Sequence, residues 1–244
     1  MSFWNTAIGV MIGFTIGGPI GALVGGVIGS KFGKKKGSFS FSSNQKHQVA
    51  FFAALFACLA KLAKADGRVS KEEVQAVDRF IKERFKFNSD QRKFAIQIFN
   101  RAKDDANSYE DYAYQLSDLL KANKNALLVF YELLFELAMA DGVLHEKEQD
   151  LLRSTTHIFK IDSGIFEDLK SQFADSKVNP YLVLGVSESM DLEEIKKVYR
   201  RKRKEFHPDT LISKGLPEEL IERAKEKFIE IQEAYEAIER ERKQ

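Results

Sequence analysis

From Ala7 to Gly29 the chain runs for 23 residues without a charged side chain, and a glycine returns at every fourth position: Gly9, Gly13, Gly17, Gly21, Gly25 and Gly29. Few folds tolerate this. A glycine-rich helix in water is weak, because each glycine loses more backbone entropy on ordering than any other residue. In lipid the backbone has to satisfy its own hydrogen bonds, so helix becomes the favoured state. As a helix the run reaches roughly 35 Å, enough to cross a hydrocarbon core of about 30 Å. The sequence therefore predicts a glycine-striped transmembrane helix over residues 1–33, with Pro19 as a kink. Small residues on one stripe let a second helix approach closely, which makes a homodimer through the stripe a reading to carry forward. No Lys or Arg precedes the run, whereas Lys31, Lys34, Lys35 and Lys36 follow it. The positive-inside rule then sets a single-pass topology in the inner (plasma) membrane, with the N-terminus outside and the remaining domains in the cytoplasm. A disordered glycine-rich leader is the alternative; the Ile, Val, Leu and Phe between the glycines argue against it. Residues 34–46 read as a linker.

Beyond the linker the pattern is helical throughout, with no strand signal. Val49, Phe52, Ala53, Phe56, Leu59, Ala60 and Ala63 fall on one face at helical spacing. Ser70, Ser89 and Ser108 stand where N-caps are expected. About seven helices fit, predicting an all-α bundle over residues 47–174. It contains a repeat: AKADGRVSKEE at 63–73 and AMADGVLHEKE at 138–148, 75 residues apart. Gly67 and Gly142 are placed to end one helix, and Val69 and Leu144 to open the next. The single cysteine, Cys58, excludes an intramolecular disulfide and reads as a buried thiol.

The repeat resembles the TerB family of tellurite-resistance domains, through its two Ala-x-Ala-Asp-Gly copies, each with a Glu seven residues after the Asp. That resemblance implies a helical domain with clustered carboxylates and a divalent cation held by Asp66, Glu73, Asp141 and Glu148. An EF-hand is excluded, because the first and third ligand positions would be Leu62 and Lys64, or Leu137 and Met139. A local reading stands beside the metal one: Ser70 and Glu73 make a capping box. In the second copy His145 replaces the serine while Glu148 remains, which weakens the capping reading there.

Enzyme signatures are missing from the sequence. His145-Glu146 lacks the second histidine of a zincin, and no glycine-rich loop follows a strand. The net charge of +2 is too small to imply nucleic acid as a partner.

Residues 178–244 carry the most specific pattern. Asn179-Pro180-Tyr181-Leu182-Val183-Leu184-Gly185-Val186 reads as a short helix. Asp191 caps a second helix, in which Lys196, Lys197, Arg200, Arg201, Lys202, Arg203 and Lys204 supply seven cations in nine residues. His207-Pro208-Asp209 follows, and a third helix is expected from about Pro217 to Glu239. These four elements in order resemble a J-domain, a helical hairpin. The loop Leu211-Ile212-Ser213-Lys214-Gly215-Leu216-Pro217 extends the likeness to the DjlA type of membrane-anchored J-domain co-chaperones, which share the whole order of segments.

The resemblance implies that His207, Pro208 and Asp209 engage a DnaK-type chaperone and stimulate its ATPase. Lys196, Lys197, Arg200, Arg201, Arg203 and Lys204 would steer that partner. On this reading the chain regulates another protein's ATPase and performs no covalent chemistry itself. A solvated face, or contact with anionic lipid, are the other readings of the basic run. Two positions depart from the family pattern: Thr210 follows the tripeptide, and Lys202 stands where an apolar residue is usual. The competing functional reading is a membrane-tethered metal-responsive or envelope-stress scaffold whose J-domain has drifted.

Overall fold

A computed structural model describes residues 17–31, 43–65, 67, 69, 71–85, 87–121, 123–139, 142–174, 179–207 and 218–243. Among them are eleven helices and no strand: α1 (Gly18–Lys31), α2 (Ser43–Ala63), α3 (Lys71–Arg84), α4 (Ser89–Asp104), α5 (Tyr109–Leu120), α6 (Lys124–Ala138), α7 (Glu146–Phe159), α8 (Ile165–Ala174), α9 (Pro180–Leu184), α10 (Leu192–Glu205) and α11 (Glu218–Arg242).

The middle bundle, α2–α8, is wrapped around α2. Every residue from Val49 to Ala60 is buried, so this stretch of the helix has no solvent face. The one-face reading of α2 is thus incomplete: a helix apolar on all sides is a central helix. Phe51 meets Phe130 of α6 edge-on at 5.2 Å between centroids, and Phe52 meets Phe87 at 5.1 Å. Such edge-to-face pairs add to simple burial. Cys58 lies at the heart of this packing with no exposed surface, and burial pushes its thiol pKa far up.

The two repeat copies fold alike. Helices α2 and α6 end at Ala63 and Ala138, and Gly67 and Gly142 follow with φ of +105° and +85°. Each glycine amide donates to the carbonyl three residues back, at Lys64 and Met139. Positive φ is where glycine is needed, since any Cβ is strained there. Val69 and Leu144 both pack against the core.

Local chemistry explains several boundaries. Ser108 caps α5, accepting from the Asp111 amide at 3.1 Å. At α4 the cap is Asn88, whose side chain accepts from the amides of Asp90 and Gln91. The expectation of Ser89 is therefore off by one: Asn and Ser cap about equally well, and Gln91, three residues after Asn88, returns a bond to the Asn88 amide and closes a capping box. The linker is also shorter than expected, because α2 begins at Ser43. Ser70 lies outside the described residues.

Helix α1 differs from the expected span in the part described. It has 14 residues, about 21 Å of rise. Among the described residues no helix is long and apolar enough to cross a membrane. Pro19 sits in its first turn rather than mid-helix, where a missing N–H costs nothing. Gly17 and Gly18 have φ of +66° and +59°, so the chain turns there. Gln115 of α5 holds the turn, donating to the Gly17 carbonyl at 2.8 Å and accepting from the Ile20 amide at 2.7 Å. Ile20, Leu23, Val24 and Val27 are buried within the common core. Gly21 is buried and Gly17 exposed; Gly9 and Gly13 lie outside the described residues, as does the environment of Gly29.

Candidate functional site

Helices α9, α10 and α11 build the C-terminal site. Asn179 accepts from the Tyr181 amide at 2.9 Å, and Pro180 occupies the first turn of α9. Gly185 ends that helix in the left-handed conformation, at φ +61°, while the Val186 amide bonds back to the Tyr181 carbonyl. Asp191 then caps α10 through the Glu194 amide at 2.8 Å. The two long helices pair: Tyr199 and Tyr235 stack at 4.2 Å with their planes 9° apart. Ile195, Phe206, Leu220, Ala224, Ile231 and Ile238 fill the space between them. Arg242 closes the far end, donating to the Met190 carbonyl and the Tyr181 hydroxyl, both at 3.2 Å.

This hairpin turns one face of α10 outward. Lys197, Arg200, Arg201, Arg203 and Lys204 are exposed, and Lys196 is half-buried. The run ends at His207, also exposed. Its imidazole stands edge-on to Phe228 of α11, 5.6 Å between centroids, and the same ring lies 5.7 Å from the Arg203 guanidinium. Phe228 is half-buried and supports both functional side chains. Pro208, Asp209 and Thr210 lie outside the described residues.

Lys202, the departure from the family pattern, leaves the basic face. It is half-buried, with Nζ 3.4 Å from the Val183 carbonyl. Both Lys202 Nζ and Asp168 Oδ2 of α8 crowd the same point beside Gly185. Burial lowers the Lys202 pKa and raises that of Asp168, against their mutual attraction. The position thus reaches across to the bundle, a role that J-domain residues read alone could not reveal.

Of the proposed cation ligands, Glu148 alone has a described side chain; those of Asp66, Glu73 and Asp141 fall outside. Glu148 is buried in the first turn of α7, where Oε2 accepts from the His145 amide at 2.9 Å. That is a capping role, and it holds despite the loss of the serine. Among the described residues no three metal-ligating side chains gather.

A short capped helix packed on a two-helix hairpin, one arm basic and exposed and ending in His-Pro-Asp, defines a J-domain protein. Comparison with known proteins agrees segment by segment: the DnaJ domain matches residues 179–244, tellurite resistance protein TerB residues 52–171, and the co-chaperone DjlA transmembrane domain residues 1–45. The chain is 32% identical over 225 residues to the co-chaperone protein DjlA of Photobacterium profundum, covering 82% of this chain and 81% of that one. It is 30% identical to the DjlA of Vibrio parahaemolyticus, over 80% of this chain and 79% of the other. The chain belongs to the DjlA family of membrane-associated J-domain co-chaperones. No solved structure matches it.

Proposed function

We propose that this chain is a single-pass inner-membrane co-chaperone, with its N-terminus outside and its J-domain at the cytoplasmic face, where it stimulates the ATPase of a DnaK-type chaperone. One observation carries the reading: an exposed basic arm runs directly into an exposed His207 held against Phe228. Cations on a rigid helix raise the encounter rate with an acidic surface. A histidine followed in the sequence by a proline and a carboxylate then offers donors and acceptors suited to charge-assisted hydrogen bonds. The chain supplies no catalytic group of its own in this reading; hydrolysis belongs to the partner. Lys31 and Lys34 to Lys36 after the apolar run support the topology, and the glycine stripe supports pairing of two spans.

Steady-state ATP turnover by a DnaK-type chaperone tests this, with the full-length chain in detergent micelles. Wild type is expected to accelerate turnover and His207→Gln to abolish the effect. Equal turnover with wild type and variant would sink the proposal and leave the scaffold with a drifted J-domain.

A further inference from the structure

The bundle and the J-domain meet across charged side chains that are almost fully buried. Lys227 of α11 and Glu132 of α6 pair at 3.1 Å, with side chains 6% and 3% exposed. Ion pairs this buried are uncommon, since each charge loses its water. Around them the bundle side is acidic, and on the J-domain side two arms of basic charge flank Glu230, which lies 3.6 Å from Lys227. The bundle contributes Glu132, Glu136 and Asp168; the J-domain contributes Lys227, Arg223 and Lys202. Arg223 Nε stands 3.9 Å from Glu136, while its Nη1 holds Glu230 of its own helix at 3.0 Å. One turn from the tripeptide, Asn125 at the start of α6 donates to the backbone carbonyl of Glu205. A cleft of about 760 Å³, lined by Phe173, Pro180, Val183, Glu233 and Ala234 among others, runs beside this charged seam.

We infer that α6 and α8 form an acidic seat for the chain's own J-domain, and that the co-chaperone works with its J-domain docked rather than swinging on a tether. The seat takes α11 and the inward edge of α10. It leaves the basic face of α10 and His207 exposed, so a partner can be engaged without release. Charge complementarity favours this register, because Glu132 and Glu136 of the bundle meet Lys227 and Arg223 across the seam. The seat also accounts for Lys202. A lysine at an apolar position would loosen an isolated hairpin, but here it faces Asp168 of the bundle. Inference of a docked working state rests on the co-chaperone reading; docking itself does not.

Spin labels at exposed positions, through Asp118→Cys on the bundle and Glu241→Cys on α11, report the geometry in the full-length chain; Cys58 is buried and stays unlabelled. A single narrow distance distribution is expected. Glu132→Lys or Lys227→Glu alone should broaden it, whereas the apolar pair Glu132→Leu with Lys227→Met should keep it narrow. A broad distribution in the unmodified chain, or narrow distributions in both single variants, would each overturn docking. The working state is tested separately. With Phe173→Cys on the bundle side of the cleft and Glu233→Cys on the J-domain side, both exposed, joined by a short bifunctional thiol reagent, ATPase stimulation should match that of the unjoined pair. A loss on joining, in a preparation whose wild type stimulates, would overturn the docked working state alone.

Discussion

The imidazole of His207 meets the ring of Phe228 at 87°, edge to face, so the first residue of the tripeptide is braced by the opposite helix of the hairpin. The brace restricts the histidine rotor before any partner arrives. An edge-to-face contact is worth about 0.5–1.5 kcal/mol beyond area burial. Phe228→Ala is therefore expected to weaken chaperone engagement roughly two- to tenfold at 1.4 kcal/mol per decade. Phe228→Tyr keeps the ring and should keep most of the affinity. Titrating the co-chaperone in the ATPase assay separates the two, since the apparent half-maximal concentration should move while the plateau stays.

The cations of α10 act differently. Arg200 and Arg201 are exposed, and the Arg201–Glu205 pair spans 4.0 Å with both side chains largely solvated. Such groups contribute little to folding, within about 0.5 kcal/mol. Changing Arg200 and Arg201 to Ala should leave the melting temperature in place and slow association with the chaperone. Raising salt should slow the wild type towards the variant, because exposed charges are screened beyond about 10 Å at 0.1 M. Stopped-flow association at two ionic strengths checks this; a variant with unchanged salt dependence would assign the run to the solvated surface alone.

Glu148 separates a capping role from a metal role. Its carboxylate takes the His145 amide, and losing an N-terminal partner costs about 1 kcal/mol. Glu148→Ala should lower the melting temperature by a few degrees, equally with and without millimolar magnesium or calcium. Stabilisation of the wild type by a cation, lost in the variant, would instead make Glu148 a ligand.

The order of segments and the J-domain were legible because their signals are local: caps, a glycine stop, a proline after a helix, a motif of fixed spacing. The central burial of α2 was less so. Its second face mixes Phe51, Leu55 and Cys58 with Ala50, Ala54 and Ala57, and the alanines, compatible with either a surface or a core, dilute the signal. The cap at Asn88 was missed because Ser89 is an equally good candidate one residue on. The seat was invisible for another reason. Glu132 and Lys227 lie far apart in the chain, and an isolated charge on a helix reads as solvated. Only the packing of α11 against α6 brings them together.

Lys202 and Asp168 give that packing a pH signature. Burial raises the Asp168 carboxyl above its ordinary value, with Lys202 opposing. An acid with a raised folded pKa favours the folded state while protonated and loses that advantage as pH rises through the folded pKa. For Lys202, burial foremost lowers the folded pKa below the ordinary 10.5. The charged lysine therefore costs stability at neutral pH, and the cost is relieved as pH climbs through the folded pKa towards 10.5. Lys202→Met should remove that alkaline gain. It should also push the Asp168 titration higher, since the opposing charge is gone. Carboxyl chemical shifts against pH, and melting temperature between pH 4 and 10, report the two effects.

The buried pair makes the strongest energetic prediction, and its form depends on docking. Removing one member of a buried ion pair costs about 3–5 kcal/mol when the other charge stays buried. Glu132, however, sits on one domain and Lys227 on the other. In Lys227→Met the stranded Glu132 regains water if the J-domain lifts away, so the loss is capped at the free energy of docking. Calorimetry should then show one transition for the wild type and two for Lys227→Met or Glu132→Leu, the J-domain melting apart from the bundle. The double variant Glu132→Leu with Lys227→Met leaves no buried charge from the pair, and apolar replacement of a buried pair is often neutral or stabilising. It should return to a single transition at or above the wild-type temperature. Two separate transitions already present in the wild type would mean that the pair contributes nothing to the contact.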